Sequence, residues 1–188
     1  MRTRNIRRAG IGLLAAAALA GGATACNSHS EHPAPAAPAA HNPQDGTFAQ
    51  MMIPHHQQAI TMSEHELAVG TDPAVKDLAA RIKQDQEPEI RKMRGWLDAW
   101  HVHGGSAEHH GHGSGVMSPQ QMDQLRQARG GQADRAFLQM MIEHHQGAVD
   151  MARAEQRAGQ DPRAKQLADS IVEGQQGQIS QMQRMLGR

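Results

Sequence analysis

Met51-Met52-Ile53-Pro54-His55-His56-Gln57 returns 89 residues later as Met140-Met141-Ile142-Glu143-His144-His145-Gln146. The motif sits inside a longer duplication: residues 45–97, laid over 134–186 without a gap, agree at 23 of 53 positions. The agreement extends to structural punctuation. Asp45 and Asp134 stand three residues before Phe48 and Phe137, where an N-cap is expected. Gly70 and Gly159 fall where a helix is expected to end in a left-handed residue. Asp72-Pro73 and Asp161-Pro162 then supply a capping Asp and a Pro at the first helical position. Each repeat therefore reads as helix, tight turn, helix.

Apolar spacing supports the same reading. Phe48, Met52, His55, Ala59, Met62 and Glu66 lie within about 80° of one another on a helical wheel. Phe137, Met141, His144, Ala148, Met151 and Glu155 repeat the stripe. The second helices offer Leu78, Ile82, Met93 and Leu97, matched by Leu167, Ile171, Met182 and Leu186. Pro88 and Gly177 occupy equivalent places in them, and both weaken a helix. No segment alternates as a strand does. Two hairpins with four apolar stripes close most simply into an all-α four-helix bundle.

The bundle is expected to occupy residues 45–188, with a connector at 98–133. That connector begins with a Gly/His/Ser segment carrying His101, His103, His109, His110 and His112, then starts a short helix at Ser118-Pro119. Ahead of the bundle, Arg2, Arg4, Arg7 and Arg8 precede a short apolar run and Cys26, the layout of a secretory signal over residues 1–26. Cys26 is the expected lipid-attachment residue, with a secreted, unanchored protein as the alternative. Residues 27–44, rich in Pro and Ala, read as a tether to the membrane. The whole chain carries 19 basic and 19 acidic residues. The leader holds four of the arginines and no acid, so the remainder has 15 against 19, a net charge of −4. A mildly acidic chain with two Phe, two Trp and no Tyr lacks the basic, aromatic surface of a nucleic-acid binder.

With Cys26 the only cysteine, soft metal ligands elsewhere must be Met or His. Thioether and imidazole together suit copper in either oxidation state. His55 and His144 are the sharpest candidates, since an imidazole on an apolar stripe must find a partner or lose solvation energy. Core filling by methionine is the competing explanation of the same residues. Glu66 and Glu155 invite a comparison with di-iron bundles, which need further Glu and Glu-x-x-His ligands. Neither second helix repeats them; Gln86 and Gln175 stand there instead. The two glutamates are therefore expected to be buried hydrogen-bonding partners. Nothing in the chain forms a hydrolytic triad, a phosphate loop or a nucleotide fingerprint, and no enzyme activity is expected.

The doubled Asp-x-x-Phe-x-x-Met-Met-Ile-x-His-His-Gln, followed by Ala and Met, resembles the bacterial domain of unknown function family 305. The likeness runs from about Asp45 to Leu186. It implies a ferritin-like four-helix bundle. Because some members are extracytoplasmic copper proteins linked to copper tolerance, it also implies copper binding, with buffering or transfer to a donor or acceptor protein. The positions carried over are Met51, Met52, His55, His56 and Met62 in the first repeat. Their counterparts are Met140, Met141, His144, His145 and Met151. Pro54 departs from Glu143 of the second copy and sets equal affinity of the two halves in question. Another transition metal, or a non-metal scaffold whose Met-rich surface grips a partner, are the alternative readings.

Overall fold

The computed structural model describes residues 40–102 and 115–187, and among these every regular element is helical. The leader with Cys26, the tether up to residue 39, and His103, His109, His110 and His112 lie outside the described residues. The first hairpin is α1 (Pro43–Val69) and α2 (Pro73–Ala99). A short α3 (Pro119–Gln127) leads into the second hairpin, α4 (Gly131–Ala158) and α5 (Pro162–Leu186). Within each hairpin the helices pack along their length, and α1 lies against α4 as the central pair. The contact between α2 and α5 is slight by comparison. Pro54 and Pro88 are both accommodated inside continuous helices.

The Asp-Pro restarts behave as expected. Asp72 accepts from the amide of Ala74 and Asp161 from that of Arg163, each capping a helix whose first residue is proline. Ser118 forms a capping box with Gln121 at the head of α3. The start of α1 differs from expectation. Asn42 is the N-cap and Pro43 the first helical residue, so the tether gives way to the helix earlier than its composition suggests. Asn42 takes the amides of Gln44 and Asp45, a better cap than the Pro/Ala context advertises.

Asp45 and Asp134 are therefore not N-caps. Asp45 is the third residue of α1, and Gly130 precedes α4 without any side-chain cap. Each aspartate instead reaches across to the turn of the opposite hairpin. Asp134 accepts from the Thr71 amide (2.8 Å), the Thr71 hydroxyl (2.9 Å) and the Asp72 amide (3.2 Å). Asp45 accepts from the amides of Gln160 (3.0 Å) and Asp161 (2.9 Å). Thr71 and Asp72 are the repeat equivalents of Gln160 and Asp161, so the two latches are related by the pseudo-twofold symmetry of the duplication. They hold the backbone amides of the two turns.

The helix-ending glycines are also explained differently. Gly70 has φ −68° and Gly159 φ −69°, extended conformations open to any residue. What excludes a side chain is space. A Cβ on Gly70 would sit 1.9 Å from Glu66 Oε1 and 2.7 Å from Asp134 Oδ1. A Cβ on Gly159 would sit 2.0 Å from Glu155 Oε1. Each glycine makes room for a buried carboxyl that reaches the latch aspartate.

The connector returns over α1 and α4. Gln58 grips Met117 through both backbone groups, donating to its carbonyl (2.9 Å) and accepting from its amide (2.7 Å). The repeat equivalent of Gln58 is Gly147, whose Cα would lie 2.9 Å from a Cβ on Gly115. Gly115 itself has φ +82°, so neither the space nor the backbone there favours a side chain. This local asymmetry lets one connector cross a symmetric pair of helices.

Candidate metal-binding band

Midway along α1 and α4 the apolar core is interrupted by a polar layer. On one side lies a cluster that includes Ala59, Met62, Leu78, Ile82, Phe137, Met141 and Met182. On the other lies one that includes Phe48, Met52, Met93, Ala148, Leu167 and Ile171. Between them, His55 and His144 meet with ring centroids 3.7 Å apart and planes inclined by 36°. His56 and His145 flank this pair, each 6.4 Å in centroid distance from its sequence neighbour. All four imidazoles are essentially without solvent contact. Two positive rings could not sit this close, and burial followed by the charge of His55 holds His144 well below the ordinary imidazole range. Burial outweighs the Gln178 hydrogen bond and brings His145 down to about 4. Metal ligation requires neutral imidazole, and burial favours that form at His144 and His145.

The hydrogen-bond ledger of this layer is incomplete. His56 Nε2 lies 2.7 Å from Glu89 Oε2, and His145 Nε2 lies 2.7 Å from Gln178 Oε1. The Nδ1 atoms of His56 and His145, both ring nitrogens of His144, and Oε1 of Gln86 and Gln175 are buried without a hydrogen-bond partner. Buried polar atoms are nearly always satisfied, and each orphan costs about 1–3 kcal/mol. The His56 and Gln86 atoms of this set recur in the second half as those of His145 and Gln175.

The residues expected from sequence are thus placed unevenly. His55, His56, His144 and His145 converge on the layer. Met52 and Met141 are fully buried but belong to opposite apolar clusters, one on each side of it. Met62 lies in the same cluster as Met141, whereas Met151 is only partly buried against the other. Met51 and Met140 are half-buried. Buried Met93 and Met182, from the second helices, extend the thioether supply symmetrically. Gln86, Gln175, Glu89 and Gln178 were not singled out as site residues by the motif. The recurrence of Gln86 as Gln175 was the available signal for the first pair. Among the described residues no three or more His, Cys, Asp or Glu side chains are grouped to hold an ion. A metal held in this layer would need thioether donors beside imidazole, the donor set favoured by soft Cu(I).

Glu66 and Glu155 stand apart from this layer, at the two turns. Both are fully buried, and burial, then the neighbouring latch aspartate, pushes each up to about 8. Two adjoining carboxylates cannot both be ionised cheaply, so the glutamate keeps its proton and donates to the aspartate. Burial alone would raise Asp134 and Asp45. Hydrogen bonds from the glutamate and the turn groups outweigh it and hold both below the usual range. Each glutamate is thus the buried partner of a latch aspartate.

A duplicated helical bundle with buried histidines across its waist defines the class of protein. The chain belongs to the family described as domain of unknown function (DUF305), whose model matches residues 45–186. It is similar to a solved DUF305 protein from Streptomyces coelicolor, described as a candidate secreted protein. The two are 33% identical with a TM-score of 0.72, covering 77% of this chain and 92% of that one. It is also similar to CopM in the Cu(II)-bound form, at 38% identity and TM-score 0.67, covering 76% of this chain and 95% of CopM. CopM has likewise been solved in Cu(I)-bound and silver-bound forms. A curated relative, the uncharacterized protein L153 of Acanthamoeba polyphaga mimivirus, is 43% identical over 54 residues. That match spans 36% of L153.

Proposed function

We propose that this protein is an extracytoplasmic, lipid-anchored copper-binding protein that buffers copper or passes it on without catalysing a reaction. The observation that carries the proposal is the pair of buried Nδ1 atoms of His56 and His145, neither with a hydrogen-bond partner, at the waist of the bundle. The residues fit the metal: His55, His56, His144 and His145 supply imidazole, and Met52, Met62, Met141 and Met151 lie in the apolar clusters on either side. Met51 and Met140 provide half-buried thioethers on the same helical turns. The copper- and silver-bound relatives support this donor chemistry, since Ag(I) and Cu(I) are both soft ions. Among the described residues no helix is long and apolar enough to cross a membrane. The leader sequence ending at Cys26 supports a lipid anchor as the membrane attachment, with a copper donor or acceptor protein on the same extracytoplasmic face.

The test is anaerobic Cu(I) titration of the full chain against a competing chelator. It is run beside a variant in which His101, His103, His109, His110 and His112 are replaced by Ser. Tight stoichiometric binding that survives the replacement supports the bundle as the site. Binding that disappears with the connector histidines would reduce the buried layer to packing and favour the partner-binding alternative.

A further inference from the structure

His56 and His145 occupy equivalent positions but are backed by different chemistry. Position 89 of the first repeat corresponds to 178 of the second, and the residue changes from Glu to Gln. Position 85 corresponds to 174, and there Asp becomes Gly. Both carboxylates of this set therefore belong to α2, and α5 contributes none.

The contacts fix the protons. A carboxylate only accepts, so His56 Nε2 carries the hydrogen it gives to Glu89 across 2.7 Å. The amide of Gln178 is oriented by Asp85, which accepts from its Nε2 at 3.1 Å. The Gln178 oxygen is then left facing His145, whose Nε2 donates to it at 2.7 Å. In the neutral form of each ring the bare lone pair is consequently on Nδ1, the atom that is buried without a partner. Metal-bound histidines usually have this arrangement, one nitrogen held by an outer carboxylate or carbonyl and the other free to ligate. Outer carboxylates also make the ring a stronger donor. Glu89 keeps 17% side-chain exposure and lines a groove of about 290 Å³ between α2 and α5, together with Lys92, Trp96 and Arg163.

We propose that Glu89, and Gln178 as oriented by Asp85, are positioning residues that set Nδ1 of His56 and His145 as the donor atoms, and that the Glu-to-Gln exchange makes the His56 arm the stronger of the two. The donor-strength part rests on the copper reading above; the tautomer part does not. The duplication has thus produced two unlike arms from one sequence motif.

The experiment uses the full chain, metal-free and 15N-labelled at histidine, with long-range proton–nitrogen correlation spectra at one fixed pH. His56 and His145 are expected to show protonated Nε2 and unprotonated Nδ1. Glu89→Ala is expected to let His56 sample both tautomers while His145 is unchanged, and Gln178→Ala to do the converse. Copper titrations of the same proteins follow. Removing a residue that orients a ligand costs roughly 10- to 100-fold in metal affinity, so Glu89→Ala should weaken Cu(I) binding within that range. Gln178→Glu should strengthen it. A protonated Nδ1 in the metal-free protein, or a His56 tautomer indifferent to Glu89→Ala, would overturn the assignment. Correct tautomers with equal affinities in wild type and Glu89→Ala would overturn the donor-strength claim. Correct tautomers in a protein that binds no copper would sink the copper reading and leave the positioning roles intact.

Discussion

Replacing Gly70 by Ala separates two explanations of a helix-ending glycine. At φ −68° an alanine is unstrained, and such a change ordinarily stabilises a protein by about 0.4–1 kcal/mol through the unfolded chain. The structure predicts the opposite. The new Cβ would lie 1.9 Å from Glu66 Oε1, 2.6 Å from its Cδ and 2.7 Å from Asp134 Oδ1. The Glu66 carboxyl must leave, and its hydrogen bond to Asp134 is lost. Overpacking costs about 1–3 kcal/mol, and a hydrogen bond to a charged acceptor contributes about 1.5–3 kcal/mol. A net destabilisation of about 2–4 kcal/mol is expected once partial relaxation is allowed for. Urea unfolding followed by circular dichroism measures it directly, as a lower midpoint at unchanged slope. A cycle with Glu66→Ala adds the mechanism. Removing the carboxyl opens the space, so Gly70→Ala should cost much less in that background, with a coupling of at least about 1 kcal/mol. A Gly70→Ala protein as stable as wild type, or a cycle that is simply additive, would refute the steric account.

Two further outcomes follow from the same structure and a third from the leader sequence. In the metal-free protein the raised Glu66 and Glu155 contribute stability that is fully present below pH 4.5 and lost as pH climbs through about 8. The depressed His145 and His144 contribute stability present above pH 6.5 and lost as pH falls toward 4 and below. Melting temperature should therefore form a plateau between about pH 4.5 and 6.5, where the two effects oppose, and decline on both sides; Glu66→Gln with Glu155→Gln should flatten the alkaline limb. Gln58→Ala removes both hydrogen bonds to Met117 and should cost about 1–3 kcal/mol, with faster amide exchange at Met117 and Ser118. Cys26→Ala should release the protein from the membrane fraction and abolish incorporation of a labelled fatty acid; retention with label elsewhere would contradict the lipid assignment.

The helical hairpins could be read from sequence because their signals are local. The apolar stripe through Phe48, Met52, His55, Ala59 and Met62 is buried throughout, and the Asp-Pro restarts cap as their chemistry dictates. Asp45 and Asp134 were misread because their partners are distant: the Asp45 bond to the Asp161 amide joins residues 116 apart. A cap three residues before a Phe is a local pattern, and nothing local reveals that the carboxylate turns toward another hairpin. Gly70 and Gly159 failed for a related reason, since the obstacle is a side chain folded back from the preceding turn. The methionines next to the histidines suggested compact Met/His units. Instead Met52 and Met141 separate to opposite sides of the layer, while His55 and His144 come together. Glu89 and Gln178 carry no repeat signal, because the two copies differ at that position. The asymmetry of the histidine layer resides in that position.

Copper binding by the buried histidines is the central proposal. Its most direct test is the Cu(I) affinity of a His55→Ala, His144→Ala double variant, shown by circular dichroism to be folded and measured anaerobically beside wild type. A loss of at least about tenfold, equivalent to about 1.4 kcal/mol, is the predicted result. Unchanged affinity and stoichiometry in the folded variant would contradict it and remove the waist of the bundle from the copper site.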